Sequence, residues 1–191
     1  MLSAILCSAL LLAADEAETL DEGPPEPLVP FYVPRAASLG FFYAIDREQI
    51  TPHFRLQWEG MVVDQPHNAL GWFINFGSGF GANPPEPMTA HFQHSALAGI
   101  IYGSDRPVFH WGLQVGFGGV WYRAFFQPNT FRPENYVLPY VEGRVQAGVK
   151  VHPHVRVALY IGYGSPVYYP PGRKGSLFTG GLDFGLVIDW R

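Results

Sequence analysis

Eight ionisable side chains interrupt otherwise apolar or glycine-rich segments: Arg55, Glu59, Glu142, Arg144, Lys150, Arg156, Asp183 and Asp189. Four are cations and four are anions. Enclosed together they neutralise one another, which a poorly hydrated interior requires, because an unpaired buried charge costs several kcal/mol. Two roles fit such a set: a static plug of ion pairs, or a gate across a narrow aqueous path. Glu59, Glu142 and Asp183 each lie about six residues into their segments and Arg144 about eight, which places them near a common level. Arg144 is therefore expected to pair with Glu59 or Glu142.

The histidines offer little more chemistry. His94 and Ser95 are adjacent in an alternating segment, so they point to opposite faces and cannot act as base and nucleophile. His91 and Ser95 share a face but stand roughly 13 Å apart along a strand, too far for proton transfer. His91 and His94 fail as a metal pair by the same parity. His152-Pro153-His154 has a chelating spacing, although a polar turn accounts for it equally well. No phosphate-cradling loop or cofactor motif appears, so no metal, cofactor or catalysis is expected. Lys and Arg form no single stripe of the kind nucleic acid requires.

The segments that position these residues alternate with a period of two. From Phe109 to Trp121 one face reads Phe109, Trp111, Leu113, Val115, Phe117, Gly119, Trp121, and the other His110, Gly112, Gln114, Gly116, Gly118, Val120. That is strand patterning, sustained for longer than an ordinary soluble strand. The same reading gives eight strands, near 39–46, 53–63, 69–80, 90–102, 109–122, 136–151, 154–163 and 178–190. After a short first link, tight turns (Asp64–Asn68, Gly103–Val108, His152-Pro153) alternate with long loops (Gly81–Thr89, Arg123–Asn135, Gly164–Leu177).

The first 35 residues differ in kind. Residues 1–14 carry an apolar core ending in Ala13-Ala14 and read as a cleaved secretory signal. The lone cysteine, Cys7, lies within it. Residues 15–35 are acidic and proline-rich, with six acids between Asp15 and Glu26, and are expected to form a disordered linker. The remaining ten acids of the 16 and all 12 bases fall in residues 27–191, which therefore carry a formal charge near +2.

Which face meets solvent follows from glycine. The minor face holds Gly40, Gly71, Gly77, Gly99, Gly112, Gly116, Gly118, Gly162 and Gly185 among polar groups. On a water-facing strand glycine weakens the sheet and buries nothing. Inside a narrow barrel it makes room for the polar side chains that fill the lumen. The large apolar residues then face lipid, with Trp and Tyr at the interfaces. The expected fold is all-β: an eight-stranded antiparallel up-and-down transmembrane β-barrel.

From Leu39 to Trp190 the chain resembles the small OmpA-type eight-stranded outer-membrane barrels. Phe184, Leu186, Ile188 and Trp190 resemble their closing strand, which the resemblance implies is read by the outer-membrane assembly machinery; Arg191 departs by following the terminal aromatic. The resemblance implies residence in the outer membrane of a Gram-negative cell envelope, with membrane lipids as partners. Some such barrels are lipid A deacylases carrying His and Ser on one strand, but their His-x-Ser spacing is missing here. The expected function is a non-enzymatic integral barrel, structural or surface-interacting, with a polar, ion-paired lumen, and monomeric. A porin-like channel for small or hydrophobic solutes is the alternative, and a lipid-modifying enzyme a weaker one. Phe125, Phe126, Phe131, Tyr136, Tyr168 and Tyr169 in the long loops fit either an interfacial girdle or a surface ligand site.

Overall fold

The computed structural model describes residues 34–44, 49–64, 68–81, 86–105, 108–172, 176 and 179–190. The signal segment 1–14, residues 15–33 of the linker, Phe178 and Arg191 lie outside the described residues.

Eight strands run in chain order: β1 (Ala36–Ala44), β2 (Gln49–Asp64), β3 (Ala69–Gly81), β4 (Met88–Asp105), β5 (Phe109–Phe126), β6 (Glu134–His152), β7 (Val155–Pro166) and β8 (Gly181–Trp190). Each is antiparallel to the next, and β8 returns to β1, closing the barrel. Closure leaves no unpaired edge, which is what a sheet in hydrocarbon must achieve. Arg35, assigned to the linker from sequence, is already tied in: its N–H donates to the Gln57 carbonyl and its carbonyl accepts from Trp190 N–H, both at 2.8 Å.

Several strands extend beyond the boundaries read from sequence. β2 starts at Gln49, before Pro52, and β6 carries Pro139. Proline cannot donate to a ladder and is normally confined to edges. Both sit where the stagger leaves one side open: β2–β3 pairing begins at His53, and β6–β7 pairing at Tyr140. Phe125 and Phe126, assigned to a loop from sequence, belong to β5, and β6 starts at Glu134, two residues before Tyr136.

The outer wall is apolar. Leu39, Val62, Phe76, Ile100, Val115, Phe117, Val137 and Leu159 are all exposed on it. An apolar belt this extensive has no place in water but is the surface a bilayer solvates. Aromatic pairs mark its limits. Toward the tight turns Trp111 packs edge-on against Tyr102 at 5.7 Å; toward the long loops Trp121 stacks with His94 at 4.9 Å. Ten residues at about 3.3 Å each, tilted by about 40°, give roughly 25 Å between the two tryptophans, the height of a lipid-facing band.

Candidate functional site

The charged interior is assembled from four strands. β2 supplies His53 and Arg55, β6 supplies Glu142 and Arg144, β7 supplies Tyr160 and β8 supplies Asp183, all inward by parity and all buried. Glycines make the space. A Cβ on Gly77 would come within 2.9 Å of Arg55 Cγ, and one on Gly40 would overlap the Tyr160 hydroxyl. Gly162 stands in register between Arg144 and Asp183, bringing them to one level.

Each guanidinium bridges both carboxylates. Arg55 Nη1 donates to Glu142 Oε1 at 2.5 Å, and its Nη2 reaches Asp183 Oδ2 at 2.9 Å. Arg144 Nη2 donates to the same two oxygens at 2.9 and 3.2 Å. Two cations and two anions therefore close a neutral ring. Tyr160 O–H donates to Asp183 Oδ1 at 3.0 Å, and its ring lies 4.3 Å beneath the Arg144 guanidinium. His53 Nε2 lies 3.0 Å from the Tyr160 oxygen and 3.2 Å from Asp183 Oδ1. Asp183, with no exposed surface, is the hub.

β2 and β6 are four strands apart in a barrel of eight, so the Arg55–Glu142 pair crosses the lumen from one wall to the opposite one. Attraction in such a site offsets desolvation only where remaining donors and acceptors are also met. Tyr160 and His53 meet those of Asp183, whereas Glu142 Oε2, Arg144 Nε and His53 Nδ1 are buried with no hydrogen-bond partner among the described residues.

The other expected members lie elsewhere. Glu59 does not pair with Arg144. Because β2 begins at Gln49, Glu59 sits further down it, half-buried toward the tight turns, and accepts from Gln57 Nε2 at 2.6 Å. Arg156 and Asp189 are register partners on β7 and β8, separated by 4.0 Å at the same end. They join Glu59, Ser104, His110 and Gln146 around a cavity of about 40 Å³. Lys150 is not in the lumen: β5–β6 pairing ends at Val149, so Lys150 projects past the end of β5 and is exposed.

The polar, ion-paired lumen expected from sequence gives way to apolar packing on the loop side. There Phe42, Met88, Leu97, Val120, Tyr122, Leu138 and Tyr140 form a buried apolar cluster, with Phe126 and Tyr136 packed against it. His91 is fully buried with its ring stacked on Tyr122 at 6.2 Å, while the Tyr122 hydroxyl donates to Glu134 at 3.0 Å. His152 Nδ1 accepts from the His154 backbone N–H at 3.3 Å, as a turn residue does. Phe184, Leu186 and Ile188 are exposed on the outer wall.

His53 and Tyr160 were not singled out from sequence, although parity alone carries the signal: His53 is in step with Arg55, and Tyr160 with Arg156. A second omission is beyond parity. Ser78 on β3 is the register partner of His94 on β4, and both face outward.

The closed sheet, the apolar outer wall and the ion-paired interior define the class: a small eight-stranded barrel with the fold of outer-membrane barrels. Among solved structures, the outer membrane enzyme PagL superposes with a TM-score of 0.55 at 13% identity, covering 82% of this chain and 97% of that one. Ail, the attachment invasion locus protein of Yersinia pestis, gives 0.49 at 11% identity over 83% and 99% of the two chains. Neisserial surface protein A gives 0.49 at 12% identity over 81% and 94%. The likeness to PagL is one of fold. No protein-family model matches the chain, and no curated protein does.

Proposed function

We propose that this chain is a non-enzymatic integral barrel of the outer membrane, with a structural or surface-interacting role and no open pore. The observation that carries this reading is the Arg55–Glu142 pair spanning β2 to β6. Above it the apolar cluster from Phe42 to Tyr140 packs the loop-side half together with buried Gln49, Thr51, His91, Gln93 and Glu134. Ions would have to part a neutral charge ring and then pass a layer of closely packed side chains, each a barrier in a narrow channel. The long-loop rim faces the exterior, as loop lengths in bacterial barrels run. The refolded barrel in a planar bilayer should give no discrete conductance steps. Reproducible openings from the wild-type protein would overturn the closed reading in favour of the porin-like one.

A catalytic reading has one observation in its favour, the facing of Ser78 and His94 on the outer wall. A serine beside a histidine at a lipid surface has two parts of an acyl-transfer set. The imidazole, however, is stacked flat on Trp121, and among the described residues no hydrogen bond joins it to Ser78 or to a carboxylate that would orient it. Lipid A incubated with the barrel should therefore release no fatty acid. Release that disappears in Ser78→Ala would establish the enzyme instead.

A further inference from the structure

Arg123 is a charge on an outer wall that is otherwise mostly apolar. The outward residues of β5 are Phe109, Trp111, Leu113, Val115, Phe117, Gly119, Trp121, Arg123 and Phe125. Trp121 marks the loop-side edge of the lipid-facing band, and Arg123 is the next outward residue beyond it. Two residues of tilted strand put it about 5 Å past that edge, at headgroup depth, where a cation on the outer wall costs little.

Its surroundings supply donors. In register, Arg123 is flanked by Phe92 on β4 and Asn135 on β6. The guanidinium lies 4.8 Å over the Phe125 ring, which is itself braced edge-on by Phe92 at 6.2 Å. A guanidinium over a ring keeps its N–H groups available to bind an anion in two-pronged fashion. Among the described residues no carboxylate forms an ion pair with Arg123. Asn135 uses its side-chain oxygen to accept from Trp121 Nε1, which leaves its amide N–H groups as donors. His94, one register step away, rests on Trp121 and offers a ring nitrogen. Register thus sets Arg123, Asn135 and His94 on three neighbouring strands around Trp121, with exposed Phe117 and Val137 toward the apolar wall.

We propose that Arg123, Asn135 and His94 form a site for the phosphate of a membrane lipid headgroup in the leaflet at the long-loop rim. A guanidinium edge matches two phosphate oxygens at once, and the neighbouring donors take the third. The acyl chains of that lipid lie along the apolar wall below, which is why the occupant is a lipid and not a free anion. The site rests on the membrane-spanning reading of the barrel.

The test uses the barrel refolded into phosphatidylcholine vesicles containing a minor fraction of diphosphoryl lipid A, then extracted gently and examined by native mass spectrometry. Insertion is scored separately by heat-modifiable migration. Wild-type barrel should retain one diphosphoryl lipid A, and Arg123→Gln should retain it about tenfold less, the loss expected for one charge-assisted bidentate contact. Lipid A lacking phosphate should be retained no better by wild type than by the variant, and excess inorganic phosphate should not displace the bound lipid. An inserted barrel with equal retention by wild type and Arg123→Gln overturns the site alone, as does displacement by inorganic phosphate. Wild-type protein that fails to insert overturns the membrane reading and the site together.

Discussion

Arg144→Ala should destabilise the barrel by about 3–5 kcal/mol, the usual result of removing one partner from a buried charge set. Glu142 and Asp183 would then share Arg55 as their only guanidinium, leaving a net negative charge where Asp183 has no contact with solvent. Tyr160 would also lose the cation stacked on its ring. Urea titration of the refolded protein, read by heat-modifiable migration, measures the change. Removing charges of opposite sign together, as in Arg144→Leu with Glu142→Leu, should recover much of the loss, because the quartet stays neutral. Conductance separates a plug from a gate. Arg55 still crosses from β2 to β6 in Arg144→Ala, and the apolar cluster above is untouched, so the lumen should stay closed. A rise in open probability would mean that the ring is a gate. No change in either stability or conductance would mean that these charges point separately into water.

Val115→Arg should impair folding into bilayers by about 2–4 kcal/mol, the cost of a cation on a lipid-facing wall near the midplane. Val115 is outward and exposed, and lies near the midpoint between Trp111 and Trp121. The penalty is depth-dependent, which makes a series more telling than one substitution. Leu113→Arg, one outward step from Trp111, should cost less than Val115→Arg. Gln114→Arg points into the lumen, where it crowds Gln146 but places no charge in hydrocarbon. Unfolding free energies in vesicles of fixed thickness would give the order. Equal tolerance of all three in lipid would remove the argument that this wall is solvated by acyl chains.

Local information ends at the single strand. In β5 the alternation of Phe109 to Trp121 against His110 to Val120 fixed which side chains face inward, because strand parity is a property of the backbone and needs no partner. The closing strand is equally legible: Leu182, Phe184 and Leu186 face one way, and Asp183 and Gly185 the other. The places of the links were likewise legible, since prolines and glycines punctuate the chain where the alternation lapses, but the link expected over Arg123–Asn135 is shorter because β5 runs to Phe126 and β6 starts at Glu134.

Height within the barrel was not legible. Glu59 and Glu142 have the same parity and the same distance into their expected segments, yet one lines a cavity near the turns and the other joins the central ring. Their levels depend on where each strand starts and how far neighbours are staggered, and stagger is set when the sheet closes on itself. Lys150 is displaced for the same reason, because the end of β5 decides where the lumen ends. The pairing of Ser78 with His94, and of Arg123 with Asn135, belongs to register as well. Amino-acid order by itself determined the faces, the number of strands and the apolar outer wall, because these follow from a two-residue repeat and its interruptions. Only the closed sheet decided which inward charges meet across the lumen and which outward donors stand together, because contacts between distant strands depend on shear, which no single strand encodes.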